Sequence, residues 1–247
     1  MQASVVIKPA KRDVVYPERD GKPMGETDVH RRWIMWLIIM LQQYYANQQV
    51  YVTGDLLFYY EEGNPRRFVV PDVFVVLDHP PGDRRVYKLW EEGKAPNIIF
   101  EITSPSTKQM DQVAKVQLYA MLGVQEYFLF DPLNEYLRPP LQGYRLAGGS
   151  YEPIRAEPPN SFHSQVLDLT IRLSGQKLQL IQADGSALLT PEERIEVEAQ
   201  RAEQEAERAQ QEAERAEQEA KLRSAAEAHA LQLEEELREL RRRLSDG

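Results

Sequence analysis

The chain has 247 residues, no cysteine and a formal net charge of −9. Without cysteine there is no disulfide, no thiolate zinc site and no cysteine nucleophile. The most apolar stretch, WIMWLIIML, is too short to cross a bilayer, so we expect a soluble cytoplasmic protein with no membrane partner. Residues 191–247 hold 17 of the 39 acidic and 10 of the 30 basic side chains, which leaves the body nearly neutral and compatible with a local basic surface for nucleic acid.

Residues 1–23 are interpreted as an N-terminal extension, followed by a folded domain at 24–187. The domain opens with TDVHRRWIMWLIIMLQQYY, in which the spacing of Trp33, Leu37 and Met40 predicts an amphipathic helix with Thr27 or Asp28 as N-cap. Period-two apolar patterns then predict strands, which lie within residues 48–60, 71–77 and 96–103.

The segment STKQMDQVAKVQLYAML predicts a second helix, with Ser106 or Thr107 as cap, an apolar face through Val113, Leu118 and Met121, and Gly123 as the terminating glycine. The strand EYFLFDP follows it. Residues 136–154 and 167–181 have the patterns of short strands or hairpins that complete the sheet or cover the site. The alternation of the two periods predicts an α/β fold with a mixed β-sheet flanked by helices.

The tail at 191–245 is predicted to be a separate coiled-coil helix. Three heptads, RAEQEAE, RAQQEAE and RAEQEAK, place alanines from Ala202 to Ala220 on one seam. A second seam runs from Ala226 through Leu233 and Leu237 to Leu244, out of phase with the first, so the superhelix should be disturbed near 221–226. We expect self-association through this helix. The alternative is a solvated single helix that Glu/Arg pairs stabilise.

Two acids stand at the ends of apolar strands. If 71–77 and 96–103 pair in antiparallel fashion, the start of the first strand, Asp72, meets the end of the second, Glu101. Two carboxylates with the Ile102 carbonyl within reach form the kind of oxygen site that Mg²⁺ or Mn²⁺ prefers. The sequence therefore predicts a metal site formed by Asp72, Glu101 and Ile102.

The second predicted helix provides a cation near these acids. Asp111, Lys115 and Tyr119 recur every four residues and share one helical face. If that face covers the sheet end, Lys115 is placed to orient a water molecule and to stabilise charge on a phosphoryl group. An ordinary surface ion pair between Asp111 and Lys115 explains the same spacing.

The combined pattern PDVFVV, EITSPST, D…K…Y and GVQEYFLFDP resembles the Uma2 family of the PD-(D/E)XK nuclease superfamily, over roughly residues 20–180. The resemblance implies a restriction-endonuclease-like fold that hydrolyses DNA phosphodiester bonds through a Mg²⁺-activated water. It assigns Asp72 and Glu101 as metal-binding acids and Lys115 as the match to a lysine displaced from the strand, where Thr103 stands instead. It also points to His30 on the first helix, a residue that by its chemistry alone is equally an ordinary helix histidine.

Other readings have less support. Asp55 and Asp131 are explained as turn residues, and the chain lacks the phosphate-loop, dinucleotide, zincin and hydrolase-elbow motifs, so no small-molecule cofactor is expected. Paired carboxylates also serve glycosidases. A rival hypothesis is a catalytically inactive nucleic-acid-binding or scaffold module assembled through its coiled coil, and the departure at Thr103 keeps it open.

Overall fold

The computed structural model of the protein describes residues 14–19, 27–103, 114–135 and 137–245. The predicted site residue Asp111 and the predicted helix caps Ser106 and Thr107 lie outside these ranges. The chain divides into two compact units, Met1–Leu188 and Leu189–Gly247, each with its own architecture.

The first helix, α1, spans Asp28–Tyr44 and begins as the sequence predicts. The Thr27 side chain accepts a hydrogen bond from the backbone N–H of His30 at 3.2 Å, so Thr27, not Asp28, is the N-cap. One face of α1 is buried at the three- and four-residue spacing expected of an amphipathic helix. Its buried residues are His30, Ile34, Leu37, Met40 and Leu41.

A six-stranded sheet forms the centre of the first unit. One pair of neighbouring strands is parallel and the other four pairs are antiparallel, so the sheet is mixed, as predicted. In spatial order the strands are β1 (Val50–Thr53), β4 (Val73–Leu77), β6 (Ile98–Ile102), β7 (Glu126–Phe130), β8 (Leu141–Ala147) and β9 (Ser150–Pro153), with β6 and β7 as the parallel pair.

The predicted antiparallel pairing that brings the two acids together is present. Val73 of β4 lies opposite Phe100 of β6, and Val75 lies opposite Ile98. Extending this register by one residue brings Asp72 level with Glu101. The acids therefore meet at the sheet end where β6 and β7 finish.

Two small sheets accompany the central one. The first contains β2 (Phe58–Tyr59), β3 (Phe68–Val69) and β5 (Tyr87–Lys88), and the second contains β10 (Ser161–Ser164), β11 (Leu169–Ser174) and β12 (Lys177–Ile181). The prediction that 136–154 completes the sheet is confirmed by β8 and β9. Residues 167–181 instead join β10 in a sheet of their own.

Side-chain alternation gives the central sheet two apolar faces. Val73 and Val75 point to the face that packs against α1 and the β10–β12 sheet, whereas Phe74 and Val76 point to the face that carries β2, β5 and the third helix. Both faces are thereby covered, which makes the sheet interior dry and leaves its ends as the places where polar groups collect.

The short helix α2 spans Leu89–Glu92, and the third helix, α3, spans Lys115–Met121. The C-cap of α3 is Leu122, and Gly123 follows it with φ of +79°, the left-handed conformation that suits the terminating glycine predicted from the sequence. The prediction that Met121 lies on the apolar face is wrong, since its side chain is 73% exposed. The buried residue of α3 is Tyr119.

The second unit is one helix, α4 (Pro191–Ser245), of 55 residues. Its start is fixed by a reciprocal cap: the N–H of Glu193 donates to Thr190 Oγ1 at 3.2 Å, and the N–H of Thr190 donates to Glu193 Oε2 at 2.9 Å. From Glu192 to Arg238 every side chain is exposed. Across the described ranges of the chain, no helix combines the length and apolarity needed to span a membrane.

Candidate active site

Asp72 stands immediately before β4 and is 8% exposed. Its Oδ2 accepts a hydrogen bond from the backbone N–H of Ile102 at 2.6 Å, which links the start of β4 to the end of β6. The same oxygen lies 3.1 Å from Nε2 of His30, which α1 carries over the sheet end. His30 is thus a buried partner of Asp72 and not a solvent-facing helix residue.

Glu101 is 1% exposed, on the face of β6 that α3 covers. Nζ of Lys115 lies 2.8 Å from its Oε2, and the Tyr119 hydroxyl donates to its Oε1 at 2.7 Å. The four-residue spacing on α3 therefore aims both donors at one carboxylate, as the shared helical face predicts. Lys115 is not the exposed residue that an ordinary surface ion pair would require, because its side chain is only 15% exposed.

The electrostatics of this cluster keep Tyr119 protonated. Burial raises the pKa of the Tyr119 hydroxyl well above its ordinary value near 10, and the adjacent negative charge of Glu101 raises it further. A neutral hydroxyl remains a hydrogen-bond donor. Tyr119 therefore fixes the orientation of the Glu101 carboxylate without adding charge, and Lys115 supplies the counter-charge.

Gly54 supports Asp72, a role that no pattern in the sequence predicts. A Cβ atom at this position would lie 2.0 Å from the Asp72 backbone oxygen and 2.9 Å from Cδ1 of Ile38. Only glycine lets the chain after β1 pass this close to Asp72. The neighbouring Asp55 has φ of +51° and donates its N–H to the Pro71 oxygen, so the GD pair forms a turn against the segment that carries the site acid.

Comparison with known proteins identifies the family. The family model Uma2, described as "Putative restriction endonuclease", matches residues 11–178, more than half of the chain. The chain belongs to the Uma2 family. The family resemblance predicted from the sequence is thereby confirmed.

A solved structure from Anabaena variabilis ATCC 29413, described as "a putative nuclease belonging to DUF820", is also similar to this chain. It is 17% identical, with a TM-score of 0.40, over 54% of this chain and 70% of that one. No curated protein matches the chain.

Of the other residues considered from the sequence, the structure describes Thr103 and Asp131. Thr103 is 4% exposed and donates its N–H to the Phe130 oxygen at 2.8 Å. Asp131 accepts from the N–H groups of Leu133 and Leu137, which makes it the loop organiser that the turn interpretation predicts. Asp111 lies outside the described residues.

The donor set fits a hard divalent cation. Oδ1 of Asp72 accepts no hydrogen bond from the described part of the chain, and 12% of this side chain is exposed. Ile102 directs its N–H to Asp72, and since the N–H and C=O of one strand residue point to the same side, its carbonyl faces that way too. Within the described ranges no three His, Cys, Asp or Glu side chains form a cluster for a metal, so the ion would rely on Asp72, Glu101, the Ile102 carbonyl and water.

Two cavities of the first unit lie away from these acids. One of about 450 Å³ runs along the edge strand β1 and is lined by residues such as Gln42, Tyr45 and Arg84, and a second of about 380 Å³ adjoins it. No candidate site residue is among the described residues that line either one. The chemistry of the buried acids, and not cavity size, therefore identifies the candidate active site.

Proposed function

We propose that this Uma2-family chain is a metal-dependent nuclease that hydrolyses DNA phosphodiester bonds. The observation that carries the proposal is that Lys115 and Tyr119 both hydrogen-bond to the buried carboxylate of Glu101, one strand away from Asp72. A buried acid pair next to a lysine is the arrangement that the resemblance implies, with the lysine on the helix in place of Thr103. The family's description, "Putative restriction endonuclease", supports DNA as the proposed substrate.

The cation would be Mg²⁺ or Mn²⁺, held by Asp72, Glu101 and the carbonyl of Ile102, and when bound it activates water and neutralises charge on the phosphoryl oxygens. The chain's own groups position the reactants. His30 and the Ile102 N–H hold Asp72 in place, and Tyr119 holds Glu101. Lys115, with its ammonium group at the edge of the acid pair, orients the attacking water and stabilises the negative charge that develops on the phosphoryl group.

A glycosidase is the weaker reading of the same acids. Such enzymes need one carboxyl group that is kept protonated to act as an acid. Here a lysine ammonium 2.8 Å from Glu101 favours the charged carboxylate. The charge pattern therefore supports phosphodiester chemistry.

We also propose that α4 mediates self-association. The helix presents Leu233 and Leu237, which are 46% and 54% exposed, along the seam predicted from the sequence. Burying such side chains against another helix stabilises an assembly by about 1.5–3 kcal/mol for each fully buried leucine. The alanine seam adds close backbone contact.

A cleavage assay tests the enzymatic proposal. Plasmid DNA and labelled single- and double-stranded DNA and RNA are incubated with Mg²⁺, Mn²⁺ or EDTA, and Glu101→Gln and Asp72→Asn are compared with Asp83→Asn, an exposed acid outside the site. We expect metal-dependent DNA cleavage that falls by about 10²-fold or more in both site variants, as loss of a group that organises charge at the reaction centre does. Wild-type cleavage by Glu101→Gln would overturn the assignment, and a wild-type chain inactive on every substrate would favour the binding-module hypothesis.

A further inference from the structure

We infer that α4 pairs with a second copy of itself in antiparallel orientation, so that the alanine seam of one copy packs against the leucine seam of the other. The inference rests on the proposed self-association and specifies its geometry. It starts from the continuity of the helix: the two seams lie on one uninterrupted 55-residue element, and the described side chains of both are exposed.

The two seams have the same spacing, so they face each other along their whole length when one helix is reversed. The first seam, extended back to Ile195, advances by 4, 3, 4, 3 and 4 residues to Ala213, and the second advances by 4, 3, 4, 3 and 4 from Ala226. In an antiparallel coiled coil, an a position of one helix faces a d position of the other. Placing residue i opposite residue 439 − i satisfies this rule for every residue of the second seam. The six pairs in each half are 195 with 244, 199 with 240, 202 with 237, 206 with 233, 209 with 230 and 213 with 226.

The phase break then falls at the centre of the assembly. The seams are out of phase by a three-residue insertion between Ala220 and Ala230, a change that overwinds a coiled coil locally. In the antiparallel pairing the two-fold axis lies between residues 219 and 220. Each seam therefore stays in phase along its own half, and the disturbance is confined to the middle.

Side-chain volume favours the same arrangement. In the antiparallel pair Ala202 faces Leu237 and Ala206 faces Leu233, so small residues meet large ones in the outer part of each half, and alanine faces alanine only in the two inner pairs, 209 with 230 and 213 with 226. A parallel, in-register pair stacks alanine on alanine in one half and leucine on leucine in the other. Two helices would then have to be closer at one end than at the other.

Charge adds to the preference. Residues 195–220 carry nine Glu and three Arg, whereas residues 221–245 carry six basic and five acidic residues, so the halves differ by −6 against +1. Antiparallel pairing brings Glu196 and Glu198 beside the arginines at 241–243 of the second copy. The antiparallel pairing also brings two pairs of like charges together in each half, Glu203 with Glu234 and Glu205 with Glu236. Parallel pairing instead sets Glu198 against Glu203 and Glu212 against Glu217 in the half with the weakest apolar seam.

Site-directed crosslinking in the full-length chain decides the orientation, because the natural sequence contains no cysteine. Ala209→Cys and Ala230→Cys are each treated with a short bismaleimide alone and after co-expression. We expect at least about tenfold more crosslinked dimer in the mixture than in either variant alone, because like positions at 209 lie about 32 Å apart when the helices are antiparallel. Gln211→Cys mixed with Ala230→Cys is the matched control, since position 211 faces outward in this pairing.

Each outcome gives a separate answer. Efficient crosslinking of Ala209→Cys with itself would show parallel pairing and overturn the antiparallel geometry while leaving self-association in place. A monomer mass for the wild-type chain in light scattering would overturn both. Neither result bears on the nuclease proposal, which the cleavage assay tests independently.

Discussion

The effect of Lys115→Met on stability distinguishes a buried ion pair from an exposed one. The change removes the ammonium that lies 2.8 Å from Glu101 Oε2 and keeps a long apolar side chain in a good helix former. From the sequence alone, position 115 is taken as exposed and the substitution as harmless to stability. The expectation of exposure is wrong, because the Lys115 side chain is 15% exposed and Glu101 is 1% exposed. The burial makes a loss of stability the expected result instead.

The magnitude follows from the burial of the pair. Removing one partner of a buried ion pair costs about 3–5 kcal/mol because it leaves an uncompensated charge. Partial exposure of Lys115 and the remaining hydrogen bond from Tyr119 reduce this cost, so we expect a loss of about 2–3 kcal/mol in the free energy of unfolding without added metal. With a urea m-value of about 2 kcal/mol/M, the unfolding midpoint should fall by about 1–1.5 M.

Urea unfolding followed by circular dichroism measures this loss, with Lys88→Met as the control. Lys88 pairs at 3.0 Å with Glu91, whose side chain is 58% exposed, so its removal should cost about 1 kcal/mol or less. A double-mutant cycle with Glu101→Gln should give a coupling energy of at least about 1 kcal/mol. A loss below about 0.5 kcal/mol for Lys115→Met would refute the reasoning, because it would equal that of an exposed pair.

The same variant tests whether the lysine has moved from the strand to the helix. We expect Lys115→Met to lower the cleavage rate by about 10²-fold or more, measured below the unfolding midpoint. Thr103→Lys in this background should restore part of the activity, since Thr103 shares a strand face with Glu101. Full activity in Lys115→Met alone would contradict the assignment.

Three further outcomes are expected. The contribution of the buried tyrosines to the free energy of unfolding should be fully present below about pH 10 and should fall above it, because the unfolded chain loses the phenol proton first. The fall is about 1.4 kcal/mol per pH unit for each tyrosine whose pKa is raised on folding. Tyr119→Phe should therefore reduce the slope of stability against pH, measured by urea unfolding between pH 9 and 11, and an unchanged slope would be inconsistent with the raised pKa of Tyr119. Gly54→Ala should destabilise the first unit by about 1–3 kcal/mol and weaken Mn²⁺ binding in calorimetry, since the new methyl group meets the Asp72 backbone oxygen. Wild-type affinity of this variant for Mn²⁺ would show that Gly54 does not position Asp72. Truncation after residue 190 should lower the number of chains per assembly, measured by light scattering, without changing the melting temperature of the body. An unchanged number of chains would exclude α4 from the assembly.

The parts of the fold that depend on local periodicity were predictable. The alternation of apolar residues in 71–77 and 96–103 predicted two strands, and their antiparallel pairing alone sufficed to bring Asp72 to Glu101. The four-residue spacing of Lys115 and Tyr119 predicted their common face. Such patterns extend over a few neighbouring residues and can therefore be recognised in the sequence itself.

The parts that depend on contacts between distant segments were not. Nothing local in 167–181 distinguishes an added strand of the central sheet from a separate sheet, because both need the same alternating pattern. The burial of Lys115 depends on how closely α3 covers β6. Gly54 looks like an ordinary turn residue in VTGD, and only the approach of the Asp72 backbone, 18 residues later in the chain, gives it a role.

The reciprocal cap between Thr190 and Glu193 determines which insertions and deletions α4 can tolerate. Since the helix starts anew at Pro191, where the side-chain ring fixes the backbone for a first turn, a residue gained or lost in the preceding linker leaves the phase of both seams unchanged. A residue gained or lost inside the helix, for example at Gln204, would rotate everything after it by about 100° relative to the rest. Length variation among natural relatives should therefore concentrate before Thr190, and changes within α4 should occur in steps of seven.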